Sequence, residues 1–224
     1  MENFGKTLWA DAHFHKPGVG ALLMDAEGRT RRFHGLHPWQ AEAHPDIAAA
    51  VADVRARLVE DPTAGVGEIG LDRLHTKTVT PAQRALFAAQ LALAAELGRP
   101  VVLHGAKCWG EVVAACAPYA GRIPVFLFHG FSRSTGLLPQ IFALNGFVSL
   151  GPALLNDHAV NYRDMAKTLP LDRLLLETDA EADVADVARE ATLAQLVAAL
   201  AALRACTEAD IRAAVAANTR VFLP

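Results

Sequence analysis

Ala64-Gly65-Val66-Gly67-Glu68-Ile69-Gly70-Leu71-Asp72 sets an apolar, glycine-punctuated run against two carboxylates. Such a run reads as a buried strand with its carboxylates toward the C-terminal end. Four other apolar runs carry ligand-type side chains in the same place. They are Asp11-Ala12-His13-Phe14-His15, Val101-Val102-Leu103-His104, Val125-Phe126-Leu127-Phe128-His129 and Leu174-Leu175-Leu176-Glu177-Thr178-Asp179. One histidine after a strand means little. Imidazoles and carboxylates at several strand ends of one chain imply a barrel that gathers them at a single rim.

Outward from these runs, short apolar segments alternate with longer alanine-rich helical patterns, which predicts parallel α/β architecture. Strands are expected near 7–12, 31–36, 65–69, 100–103, 123–128, 146–150 and 173–177. The alanine-rich stretches 46–57 and 91–95 read as outer helices. Thr80-Pro81-Ala82-Gln83 supplies a capping threonine, a proline at the first turn and a box-forming glutamine, and Gly98 ends that helix. A further amphipathic helix is expected over 192–206, and Thr207 opens a last one over 208–217.

Seven strands are one short of a (β/α)8 barrel. Between His15 and Leu36 there is room for a turn and the apolar piece 21–24, whereas a βαβ unit takes roughly 30 residues. The expectation is an α/β, distorted TIM-type barrel of the amidohydrolase-like kind: seven clear strands and one incomplete early βα unit. Pro17-Gly18 and Glu27-Gly28 are its loop punctuation.

The 224 residues, 52% hydrophobic and 20% charged, suit one globular domain spanning 1–224 rather than a disordered chain. A formal charge of −3 gives no basic field for non-specific polyanion binding, although bound divalent ions would add local positive charge. No leader-like segment and no run of ~20 apolar residues is evident, so the expected location is cytoplasmic and no membrane span is expected. Cys108, Cys116 and Cys206 have neither zinc-site nor disulfide-framework spacing and read as inert thiols. No obligate protein partner is implied.

His13 and His15, two apart on a strand, share a face and can grip one ion together, with Asp11 on the same parity to orient an imidazole from behind. Glu68 can bridge two ions, one per oxygen, and its flanking glycines permit close backbone approach. His104 and His129 can complete the shell of a second ion. Asp179 can bind the first ion and take a proton from a bound water. A mixed imidazole and carboxylate set suits Zn²⁺ or Mn²⁺ better than Mg²⁺.

These residues resemble the TatD family of metal-dependent hydrolases. The resemblance rests on His13-Phe14-His15, Gly35-Leu36-His37-Pro38-Trp39, the Gly67-to-Asp72 string, His104, His129-Gly130-Phe131-Ser132 and Glu177-Thr178-Asp179, and it extends through Asn218 and Phe222. It implies a distorted TIM barrel with two divalent metal ions. His13, His15, Glu68 and Asp179 would hold one; Glu68, His104 and His129 would hold the other. Asp179 would serve as general base. Members are described as deoxyribonucleases, so nucleic acid or a small phosphodiester is the implied substrate. The chain is shorter than typical members, and Ala180-Glu181-Ala182-Asp183 replaces the usual Pro-Tyr-Leu continuation with an acidic run.

His37 and Lys107 are the candidate substrate contacts, and Arg73 and Arg133 can help bind an anion. Trp39 and Trp109 either pack or stack on a base. Glu177 is expected behind a ligand; His34, His44, His75 and His158 fit no ligand position. Two other functions compete with a phosphodiesterase or nuclease: cleavage of a C–N or C–O bond in a small metabolite, and binding without turnover.

Overall fold

A computed structural model describes residues 9–132 and 135–223. Among these, eight strands form one sheet in chain order: β1 (Asp11–Lys16), β2 (Gly20–Met24), β3 (Thr30–His34), β4 (Gly65–Asp72), β5 (Val101–Ala106), β6 (Phe126–Phe128), β7 (Gly146–Leu150) and β8 (Leu174–Leu176). Strands β3 to β8 are mutually parallel, while β2 runs antiparallel to both β1 and β3. The helices are α1 (Ile47–Glu60), α2 (Arg73–Thr76), α3 (Pro81–Leu97), α4 (Trp109–Cys116), α5 (Leu138–Ala143), α6 (Val160–Thr168), α7 (Asp186–Arg204) and α8 (Glu208–Arg220). No single helix among the described residues is long and apolar enough to cross a membrane.

The barrel expectation holds, and the strand count is corrected from seven to eight. The added strand is the apolar piece at 20–24, reversed in direction. An antiparallel partner needs only a tight turn where a parallel one needs a crossover helix, so two short connections take the place of a βα unit. Gly18, Gly20 and Gly28, at φ +69°, +86° and +82°, supply the backbone of those turns. β1 also starts later than the predicted 7–12 strand and carries His13 and His15 within it; residues 7 and 8 lie outside the described residues.

Closure brings the segment after β8 back to β1. His15 N donates to Ala180 O at 2.9 Å and Asp179 N to His13 O at 3.0 Å. A buried polar cluster lies beside this seam. Asp11 accepts from Thr178 N and Thr178 Oγ1 at 3.0 and 2.8 Å and from Arg189 Nε on α7 at 3.1 Å. The Arg189 guanidinium also lies 3.6 Å from the centroid of the Phe14 ring. Asp11 therefore ties the seam and does not orient a histidine, as its parity had suggested.

Strand β4 meets β5 closely because it contains glycine. Gly70 sits at φ +152°, and a Cβ there would lie 1.9 Å from the carbonyl oxygen of His104, so no larger residue fits without moving that strand. Thr80 caps α3 as expected, accepting from Gln83 N, and Gly98 ends it in a left-handed conformation. The Gln83 side chain is not a capping box; it accepts from Asp72 N at 3.1 Å and donates to Thr76 Oγ1, bracing the end of β4.

Candidate metal centre

The two carboxylate oxygens of Glu68, on β4, face different sets of imidazoles. Oε1 lies 2.7 Å from His104 Nδ1, 2.7 Å from His129 Nε2 and 3.4 Å from His37 Nε2. Oε2 lies 3.3 Å from His13 Nε2 and 3.9 Å from His15 Nε2. Asp179 Oδ1 stands on the second side, 3.8 Å from His13 Nε2 and 3.9 Å from His15 Nε2. The six side chains expected as ligands therefore converge, from β1, β4, β5 and the residues just after β6 and β8. Donor atoms lie within 4.8 Å of one another in three groups: His13, His15 and Glu68; His13, His129 and Asp179; and His37, Glu68 and His104.

The donor set fits divalent cations. Both ring nitrogens of His13 and Nδ1 of His129 are buried without a hydrogen-bond partner. Leaving such atoms unsatisfied costs about 1–3 kcal/mol each, which coordination would offset. His104 carries a sharper signal. Its Nε2 lies 3.0 Å from Asp72 Oδ2, and with the ring proton on that side the Nδ1 lone pair points at Glu68. A lone pair facing a carboxylate at 2.7 Å needs a cation or a proton between them.

The electrostatics agree. Burial opposes ionisation of Glu68, but the charge on His129 and the imidazoles of His104, His129 and His13 set around it hold its pKa well below the carboxylate range. Burial likewise opposes charge on His129, yet Glu68 and Glu177 outweigh it and keep the imidazole proton-hungry. Burial, then the neighbouring His13, lowers the pKa of His15 and favours the neutral form a metal needs. For Asp179, loss of hydration together with the Glu177 and Glu68 carboxylates raises the pKa, although His129 and His13 act against it. Its side chain is half-exposed, so water reaches it.

Glu177 sits behind His129 as expected, with Oε1 3.6 Å from His129 Nδ1. It is fixed by Gly130 N at 2.7 Å and Ser149 Oγ at 2.5 Å. His37 stands nearer the ligands than a rim position implies. Its Nδ1 accepts from Trp39 N at 3.3 Å, so the neutral ring carries its proton on Nε2 and points that donor at Glu68. Lys107 is exposed just past β5 and lines a cavity of about 480 Å³ with Arg73, Trp109 and Ser132. Arg73 is partly committed to Glu111; Arg133 lies outside the described residues. Trp109 is buried against Phe128 and Phe131, whereas Trp39 is exposed. His34, His44, His75 and His158 belong to none of the three donor groups.

The sequence reading placed Asp72 among the strand-end carboxylates without assigning it a specific role, and gave none to Ser149 or Arg189. Asp72 had a usable signal, since it shares strand parity with Glu68. The other two depend on contacts across 28 and 178 positions and left no local trace.

A family model described as TatD related DNase matches residues 15–224. The chain is 32% identical over 186 residues to the 3'-5' ssDNA/RNA exonuclease TatD of Edwardsiella piscicida, covering 75% of this chain and 71% of that protein. To the protein of the same name from Klebsiella pneumoniae (strain 342) it is 32% identical over 148 residues, covering 65% of this chain and 55% of that protein. Among solved structures, the Escherichia coli K12 TatD homologue YJJV superposes with a TM-score of 0.73 at 28% identity, over 86% of this chain and 76% of that one. An amidohydrolase from Saccharomyces cerevisiae shares the fold at TM-score 0.69 and 15% identity, over 86% of this chain and 80% of that one.

Proposed function

Because the chain belongs to the TatD-related DNase family, we propose that it hydrolyses phosphodiester bonds of nucleic acid at two divalent cations that share Glu68. The observation that carries this reading is the division of labour at Glu68: Oε2 faces His13 and His15, which Asp179 also approaches, and Oε1 faces His104 and His129. Zn²⁺ or Mn²⁺ suits that donor set, with Mg²⁺ the poorer match. When bound, two such ions supply Lewis-acid polarisation of the phosphate and acidify the attacking water.

The side chains would divide the remaining work. Asp179, half-exposed and with a raised pKa, accepts the proton lost by the attacking water. His37 presents Nε2–H toward the cleft and can donate to a phosphate oxygen. Lys107, free of ion pairs among the described residues and exposed at the rim, adds a positive charge for the phosphate next in line. The cleft of about 300 Å³ that His15, His37 and Glu68 line gives the substrate room beside the cations.

The test combines metal analysis with hydrolysis of single-stranded DNA, a chromogenic phosphodiester and a panel of lactones and amides, each with Mn²⁺, Zn²⁺ and Mg²⁺. Phosphodiester cleavage that disappears in Glu68→Ala and Asp179→Ala is the expected result. Turnover confined to the lactones and amides would move the function to C–O or C–N cleavage. Cleavage unchanged in both variants would remove the proposed residues from the reaction.

A further inference from the structure

Trp39 is a large aromatic side chain left 57% exposed, and it stands beside the metal centre. Isolated exposed apolar residues are common on protein surfaces; what sets Trp39 apart is how firmly it is held. Its Nε1 donates to Asp72 Oδ2 at 2.6 Å, and its ring stacks on His75 with centroids 4.9 Å apart and planes inclined by 27°. The His37 ring meets it edge-on at 4.7 Å, and the His104 ring lies 6.5 Å away. The indole is thus fixed before any ligand arrives, and binding would cost little further side-chain freedom.

Two chemical consequences follow. The single donor of the indole is spent on Asp72, so Trp39 offers apolar aromatic surface and no hydrogen-bonding group. A ligand recognised there is flat and aromatic, and it is not read by its polar edge. Asp72 Oδ2 also accepts from His104 Nε2 at 3.0 Å, so one oxygen ties the aromatic surface to the cluster proposed to hold the ions. The aromatic surface therefore adjoins that cluster.

We propose that Trp39 is the seat for a nucleobase adjoining the scissile phosphodiester, one that accepts any base provided it is unpaired. This rests on the nuclease reading above and adds to it the residue that selects single strands. A base within a duplex has both faces covered by its neighbours, whereas an unpaired one can exchange a neighbour for the indole. With a formal charge of −3 the chain has no basic field to hold a strand, so stacking carries a larger share of binding here. Stacking of one base on an aromatic side chain changes affinity by roughly 5- to 150-fold. Trp109 cannot serve in its place, being 2% exposed beneath Phe128 and Phe131.

The experiment compares wild type, Trp39→Leu and Trp39→Phe on two strands: a short oligothymidylate and the same strand ending in base-free deoxyribose. Trp39→Leu should raise KM on oligothymidylate about 10-fold beyond any change on the base-free strand, and Trp39→Phe should raise it less. Both variants lose the Nε1 bond to Asp72, so any change on the base-free strand should be the same in the two. In parallel, titrating the Ca²⁺-loaded protein with oligothymidylate should quench tryptophan fluorescence in the wild type and not in Trp39→Leu. Equal losses on both strands, unchanged KM in Trp39→Leu, or quenching that survives that substitution would each overturn the proposal. Quenching that depends on Trp39 in a protein that cleaves neither strand would uphold the seat and sink the nuclease reading instead. Cleavage of both strands with the same KM in all three proteins would do the reverse.

Discussion

Asp72 Oδ2 lies 3.0 Å from His104 Nε2 and so offers the ring a proton acceptor on the side away from Glu68. With the proton held at Nε2, Nδ1 presents its lone pair to the space shared with Glu68 and His129. Asp72 is itself braced by His75 N at 2.8 Å and by Trp39 Nε1, and it stays ionised: burial would raise its pKa, but those hydrogen bonds and His104 outweigh it.

Removal of that carboxylate should therefore loosen one ion and spare the other. Asp72→Ala is expected to weaken metal binding on the His104 and His129 side by about 10- to 100-fold. Competition with a chelator, followed by metal analysis, would read this as loss of one equivalent before the second. Simultaneous loss of both, or of neither, would show that Asp72 does not orient His104.

The buried pair at the barrel seam makes a stability prediction. Asp11 is fully buried and Arg189 is 3% exposed, so removing Arg189 strips Asp11 of its cation, and removing Asp11 leaves the buried guanidinium with Asp186 alone. Asp11→Ala or Arg189→Ala should lower unfolding free energy by about 3–5 kcal/mol, whereas replacing both with apolar residues should cost less than either single change. Urea denaturation of the three variants checks this. A single variant within 1 kcal/mol of wild type, on the order of an exposed ion pair, would mean that the pair does not hold the seam.

The cysteines give the pH dependence. Burial pushes the Cys108 thiol up to about 11 from an ordinary 9.0 and raises that of Cys116 further. The folded state thus favours neutral thiols. Their contribution to stability is complete below pH 9, where the unfolded thiols are still protonated, and it declines as pH rises through 9 toward 11. Both residues should resist alkylation at pH 8 while the half-buried Cys206 reacts first. In a Cys108→Ala variant the loss of stability between pH 9 and 11 should be smaller, measured by melting temperature across that range. Rapid modification of Cys108 at pH 8 would contradict this.

Much of the site could be read in the sequence because it obeys strand logic. His13 and His15 alternate on one strand, and His129 and Asp179 follow strand ends as expected, whereas Glu68 and His104 lie within β4 and β5, which run on past them to Asp72 and Ala106. Strand β2 was harder to see. Gly20–Met24 is too short to show a period, and its reversed direction is set by pairing with β1 and β3 rather than by its own residues. Arg189 reads locally as one more helix arginine; only closure of the barrel gives it Asp11 as a partner. Asp72 lay within the decisive motif, but its link to Trp39 required the chain after β3 to turn back over β4, which no local pattern announces.

The seam between β1 and the segment after β8 has a consequence for biosynthesis. Asp179 lies 166 positions beyond His13 in the chain (179 − 13), so it is synthesised well after His13 and His15. The cation proposed for these residues would have no complete set of donors until the last strand has docked beside the first. Loading of that ion would report that the circle has closed, and an unfinished chain would be spared hydrolytic power.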